Sequence, residues 1–191
     1  MVQWLKSLCT TSHAHSRGVA ALEFALVAPV LILLILGSFN LTQMITMKRK
    51  VAAATELAAD LVARHDTEIA STSIDDYFIA VELALRPIDI TQVRIDIYDF
   101  SRDAGNIETR WRKNSANGEA CTPQNPNIND PIGQLTADGR DVVVAVLCMP
   151  FQAIGATFPG LEFFAGKTLE KRVAMRPRQS LTLTCTPAAC P

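Results

Sequence analysis

The chain has 191 residues, of which 49% are hydrophobic and only 19% charged, and its formal net charge is -1. That balance excludes a disordered chain, and it leaves no global field to steer the protein to nucleic acid or an acidic surface. The length fits one folded domain plus accessory segments.

Residues 1–18 read MVQWLKSLCTTSHAHSRG, with Lys6 and Arg17 and no acid. Residues 19–39 follow as VAALEFALVAPVLILLILGSF, with Glu23 as the one charge. A membrane-spanning helix needs about 20 mostly apolar residues, and a core helix of that length would show a polar face. A transmembrane helix is therefore predicted over 19–40. A general secretory signal is cut behind small residues after its apolar core. Phe39, Asn40 and Leu41 make a poor site of that type, so the helix is expected to stay as an anchor. Flanking charge does not orient it, because Lys6 and Arg17 precede the segment and Lys48, Arg49 and Lys50 follow it.

Gly18 is followed by four apolar residues and then Glu23. This resembles the site recognised by prepilin peptidases, with a glycine before the cut and a glutamate at the fifth mature position. The continuation Glu23-Phe24-Ala25-Leu26-Val27-Ala28-Pro29 resembles TadE-like proteins of tight-adherence (Flp) pilus systems. The likeness covers roughly residues 17–64; beyond it only the layout and Arg176-Pro177-Arg178 match. The resemblance implies a cytoplasmic leader, 1–18, removed between Gly18 and Val19. It implies a pseudopilin (minor pilin) in the bacterial inner membrane, single-pass, with its C-terminal domain in the periplasm. The implied partners are the prepilin peptidase, other pilins or pseudopilins with their assembly machinery, and inner-membrane lipid. The alternative is a signal-anchored periplasmic binding or sensor domain that is never cut.

Glu23 needs a physical reason, since a carboxylate near the bilayer centre costs about 2.5–3.5 kcal/mol on insertion scales. The α-amine created at Val19 would lie one helical turn away, on the same subunit or on a neighbour. The resemblance points to the neighbour, as in type IV pilins. Pro29 removes one backbone hydrogen bond and is expected to bend the helix.

Past the membrane, residues 41–65 are expected to form a helical stalk. Met44, Met47, Val51, Ala54, Ala58 and Leu61 give it a narrow apolar seam that packs on the protein's own sheet. One helix from Val19 to Arg64 would be about 69 Å long at 1.5 Å per residue. Residues 66–191 are then the periplasmic domain. Ser73-Ile74-Asp75-Asp76 has the outline of a capped helix start, and the helix runs to Leu85 before Arg86-Pro87. Val93–Tyr98 alternates and predicts a half-buried strand; 107–113 around Trp111 is a second. Residues 114–141 read as a long loop. Val142–Cys148 is an apolar run that predicts a buried central strand, and 168–175 is another strand. A helix first and an antiparallel sheet later is an α+β, pilin-like layout. Phe151, Phe158, Leu161, Phe163 and Phe164 lie in a Pro/Gly-broken segment. They are expected to fill the core, with a partner patch or the membrane face as alternatives.

Cys9 precedes the apolar segment, and Cys121, Cys148, Cys185 and Cys190 follow it. An even number on the far side suits an oxidising compartment and two disulfides. Four cysteines allow three pairings, among which spacing does not choose; Cys121–Cys148 with Cys185–Cys190 is the pairing expected. No pair has zinc-site spacing, so no metal is assigned. His13 and His15 lie in the leader, and His65 is expected to stand solvated at a helix end. No nucleophile elbow, phosphate loop or dinucleotide fingerprint occurs, so no enzyme activity and no cofactor are expected. Asp75-Asp76 reads as a solvated helix start, and basic residues form no nucleic-acid patch.

Overall fold

A computed structural model describes residues 4–126, 129–186 and 190. Helix α1 runs Trp4–Ala63 and passes through Pro29 without interruption. Strand β1 (Glu68–Ala70) leads into α2 (Ser71–Leu85), and β2 (Arg94–Asp103) and β3 (Asn106–Asn114) form a hairpin. A short α3 (Pro131–Leu135) precedes β4 (Val142–Pro150), β5 (Thr168–Met175) and β6 (Thr184–Thr186). The chain divides into two compact units, one holding α1 through Gln43 with Ala153–Ala165, the other Met44–Gln152 with Gly166–Pro191. The α+β class with a long apolar first helix and an antiparallel sheet is as expected.

In the second unit the main sheet has the order β3-β2-β4-β5, antiparallel throughout. The inner strand β4 is buried at every residue from Val142 to Met149. A strand covered on both faces has no polar side to present, which is why it reads as an unbroken apolar run. Each such Val or Leu contributes about 1.5–3 kcal/mol by leaving water. On one face Tyr98, Phe100, Val142, Val144, Val146 and Cys148 pack with Cys121 and Ile132 from the long connection before β4. Residues of the alternate parity, Ile95, Ile97, Val143, Ala145 and Leu147, are equally buried and point to the other face.

Strand β2 is therefore not half-buried. Ile95 through Phe100 are all buried, including Asp96 at a position read as solvent-facing. Cys121 and Ile132 of the connection before β4 pack over the face where water was expected, and α3 forms within that connection. The Asp130 side chain caps α3 by accepting from the Ile132 amide. Cys121 and Cys148 are joined, with Cα atoms 5.6 Å apart, and tie this connection to β4. Cys185 and Cys190 are joined across the end of β6.

The apolar seam of α1 differs from the seven-residue spacing expected. Val51, Ala54, Thr55, Ala58, Ala59, Val62 and Ala63 are buried, while Met44, Met47 and Leu61 are only partly covered. A straight helix with 3.6 residues per turn drifts away from a 3.5-residue seam, so Val62 replaces Leu61 in the core. Lys48, Val51 and Ala52 border a groove with residues 168–171 of β5, which places this half of the helix beside the sheet. Helix α2 buries Ser71, Ile74, Phe78, Val81 and Leu85 at three-four spacing. It starts two residues before Ser73, and its N-cap, Ala70, makes no side-chain cap.

Two three-residue strands, unforeseen in the sequence, close the unit. β1 and β6 pair in parallel, Ile69 opposite Cys185. Nor do all the phenylalanines fill the core. Phe151 and Leu161 are buried, Phe164 is partly covered, and Phe158 and Phe163 remain 53% and 71% exposed.

Cys121–Cys148 constrains the unfolded chain over 27 residues of sequence, a crosslink expected to be worth about 2–4 kcal/mol. Replacing both by Ser should lower the urea midpoint of the second unit accordingly. Denaturation followed by near-ultraviolet dichroism, which reads the packed aromatic groups of this unit, measures it.

Candidate functional site

Gly18, Val19, Glu23, Phe24 and Pro29 all lie on α1 and all are exposed, Phe24 at 70%. A Cβ on Gly18 would meet nothing within 4 Å. Glycine inside a helix is unfavourable by about 0.5–1 kcal/mol relative to Ala. Among the described residues nothing crowds that position or requires glycine there. Glu23 follows Val19 by four residues, which on a helix places it on the same face about 6 Å along the axis. Among the described residues Val19 and Glu23 are both exposed. Pro29 carries no amide hydrogen, so the Ala25 carbonyl lacks its helical donor in the middle of the apolar run. The window beginning at Gly18 is long and apolar enough to cross a membrane and is not buried within the molecule.

A second concentration of chemistry lies inside the sheet and was not foreseen. Between Asp99 and Phe100 the β2–β3 register slips, so that Asp99 faces Trp111 and Phe100 faces Thr109, and Arg110 is the extra residue. A bulge of this kind re-aims a side chain. Here the Arg110 Nη1 donates to Asp141 Oδ2 at 3.2 Å. The same oxygen accepts from the Leu183 amide at 2.8 Å, and the Asp141 amide donates to the Leu181 carbonyl at 2.8 Å. Trp111 Nε1 donates to the Leu183 carbonyl at 3.0 Å. Asp141 and the bulge thus hold the segment that leads into β6. On the other face, buried Asp96 accepts from Arg94 Nε at 3.0 Å and Arg112 Nη2 at 3.3 Å, and Arg112 also lies 5.0 Å from the Tyr98 ring centre.

These arrangements are architectural. Asp96 spends both oxygens, and Asp141 its Oδ2, on internal donors, and among the described residues no three His, Cys, Asp or Glu converge on a metal position. His65 is not solvated alone: its Nε2 lies 2.5 Å from the Tyr77 hydroxyl. Asp75 pairs with Lys113 at 3.3 Å, so the helix start is tied to β3. Arg176-Pro177-Arg178 also acquires a role. Arg176 donates to the Leu135 carbonyl at the end of α3, and the Arg178 amide donates to Ala63 at the end of α1. The Arg178 guanidinium meets Asp60, whose carboxyl is held below its usual range by hydrogen bonding from Arg64 and by the charge of Arg178.

Residues 18–60 match the family model described as TadE-like protein. That stretch begins at the exposed glycine, runs through Glu23 and Pro29, and ends one turn before α1 does. No curated protein matches the chain, and no solved structure does.

Asp99 supplies a pH signature for the sheet. Neither of its buried oxygens has a hydrogen-bond partner. Burial first, and then the neighbouring Asp141 carboxylate, push it up to about 8 from 3.8, against the pull of Arg110. The folded chain therefore keeps this proton up to about pH 8, whereas the unfolded chain releases it near 3.8. Between those values the folded state binds the extra proton, so this group's contribution is greatest at the acid end and is lost as pH rises through 8. Asp99→Asn should abolish that decline. Urea midpoints for both chains from pH 4 to 9 test it; parallel curves would show that Asp99 carries no shifted proton.

Proposed function

We propose that this protein is a pseudopilin that supports assembly of a Tad (Flp-type) pilus. In this reading a prepilin peptidase removes residues 1–18, the apolar helix stays in the inner membrane, and the remaining domain stands in the periplasm. The observation that carries it is the conjunction on one exposed stretch of helix: Gly18 with no described neighbour against it, Glu23 one turn beyond Val19 on the same face, and a TadE-like match that starts at Gly18.

The chemistry follows from exposure and from the medium. A small residue before the cut lets the peptidase approach the backbone. The cut creates an ammonium at Val19, and a carboxylate within an apolar run is stabilised chiefly by such a partner. A neighbouring subunit's Val19 amine meeting Glu23 would set the two helices in register along the fibre axis. The two disulfides support the periplasmic placement, since such bonds persist in oxidising compartments. Partners in this reading are the prepilin peptidase, other pilins or pseudopilins and their assembly machinery, and the surrounding lipid. The action is structural, with no catalytic step assigned to the chain.

Protein recovered from native membranes should begin at Val19, and Gly18→Arg should leave a full-length species. Mass spectrometry of the intact protein reads both, and a native amino terminus at Met1 would favour an uncut signal-anchored domain. Glu23→Gln should give a processed, membrane-held protein with defective piliation, because the amide keeps the size of the side chain and removes its charge. Normal fibres at native expression would remove the ammonium–carboxylate pairing from the account.

A further inference from the structure

The compact unit that contains the apolar run also contains Ala153–Ala165, reading AIGATFPGLEFFA, with Glu162 as its one charge. This segment is fastened to the last two turns of the run. Asn40 is fully buried; its Nδ2 donates to the Ile154 carbonyl at 2.8 Å, and its Oδ1 accepts from the Ile154 amide at 2.9 Å. Gly37 faces the Leu161 side chain, and Leu36 and Leu33 lie against Gly155 and Gly160. Both of those glycines sit at positive φ, +68° and +91°, which a residue with a Cβ would adopt only under strain. The segment uses its own backbone donors in tight turns: Phe158 to Gly155, Leu161 to Phe158, Phe164 to Leu161 and Ala165 to Glu162. What remains outward is largely apolar, with Ile154 50%, Phe158 53% and Phe163 71% exposed, and Thr157 and Glu162 are exposed beside them.

We infer that residues 153–165 form an interfacial wedge that enters the outer boundary of the bilayer beside the anchor helix. This rests on reading 19–39 as the membrane span. Depth then follows from the contacts. Leu33 to Asn40 is about 10 Å of helix, which puts the segment at the 5–10 Å depth that apolar faces reach at the headgroup boundary. Backbone groups at that depth need internal partners. Asn40 gives Ile154 both of its partners, and the turns serve the amides of Phe158, Leu161, Phe164 and Ala165. A water-facing loop would have no use for three large exposed apolar groups on one such support, nor for a buried amide at the end of an apolar run. Lipid is chosen over a protein partner because the patch continues the exposed apolar surface of the helix on which it is seated.

Four single-cysteine variants of the full chain, each carrying Cys9→Ser, test the wedge: Phe158→Cys, Phe163→Cys, Leu26→Cys in the span and Leu83→Cys on exposed α2. Each is nitroxide-labelled and reconstituted in vesicles of phosphatidylethanolamine and phosphatidylglycerol. Collision with oxygen against a water-soluble nickel chelate reads the depth of each label. Labels at 158 and 163 should shift toward the lipid value of 26 and away from the aqueous value of 83, and adding Asn40→Leu should lose that shift. Aqueous labels at 158 and 163 with a lipid label at 26 overturn the wedge and leave the anchor standing, pointing instead to a protein partner. An aqueous label at 26 overturns both.

Discussion

Helix α1 carries one continuous backbone through two kinds of surroundings, and its residue types change where the demands change. From Val19 to Phe39 most side chains are exposed and nearly all are apolar, and the run is long enough to cross a membrane. From Val51 to Ala63 the buried residues are small, Val, Ala and Thr, because that face must lie close to a sheet already filled by large ones. A helix satisfies its own backbone throughout and is therefore the one element that can pass between the two without leaving polar groups unpaired. The sheet, its cover and the ties at the end of α1 all follow from the second demand.

Several of those ties are polar. Arg178 with Asp60 and Arg110 with Asp141 join segments distant in sequence, and Asp96 joins Arg94 of its own strand to Arg112 of the next. Where the carboxylate is buried, as at Asp96 and Asp141, such a pair stabilises little when measured against apolar substitutes, but breaking one partner away is expensive because the other is stranded. They fix which segment lies where. Asp141 is the clearest case: its carboxylate serves both a strand amide and a bulged arginine, and no apolar residue could hold Leu183 and Arg110 together.

The legibility of this chain in its sequence follows the reach of each signal. The long apolar helix, the TadE-like stretch and β4 were readable because each is a continuous run or a fixed short spacing. β2 misled because Asp96 alternates with apolar residues as a solvent-facing residue would, and only the connection packed over that face makes its position interior. β1 and β6 are three residues each and carry no period; their pairing exists only because residues more than a hundred apart meet. Phe158 and Phe163 were unreadable for the same reason: a glycine-broken segment has no face until Asn40 holds it. Arg110 gave no signal, since a bulge depends on the register of its partner strand.

The pairing of β6 with β1 also bears on the order in which the molecule can be made. A chain that emerges from its amino end delivers α1 first, with Val51, Ala54, Ala58 and Val62 uncovered, and the segments that lock the end of that helix, 178–186, last. The connections from Ala63 to Arg178 and from Thr67 to Thr184 span more than a hundred residues, and such distant closures are slow to find. Until they form, the stretch of α1 from Val51 to Ala63 has an apolar face open to any other chain in the vicinity.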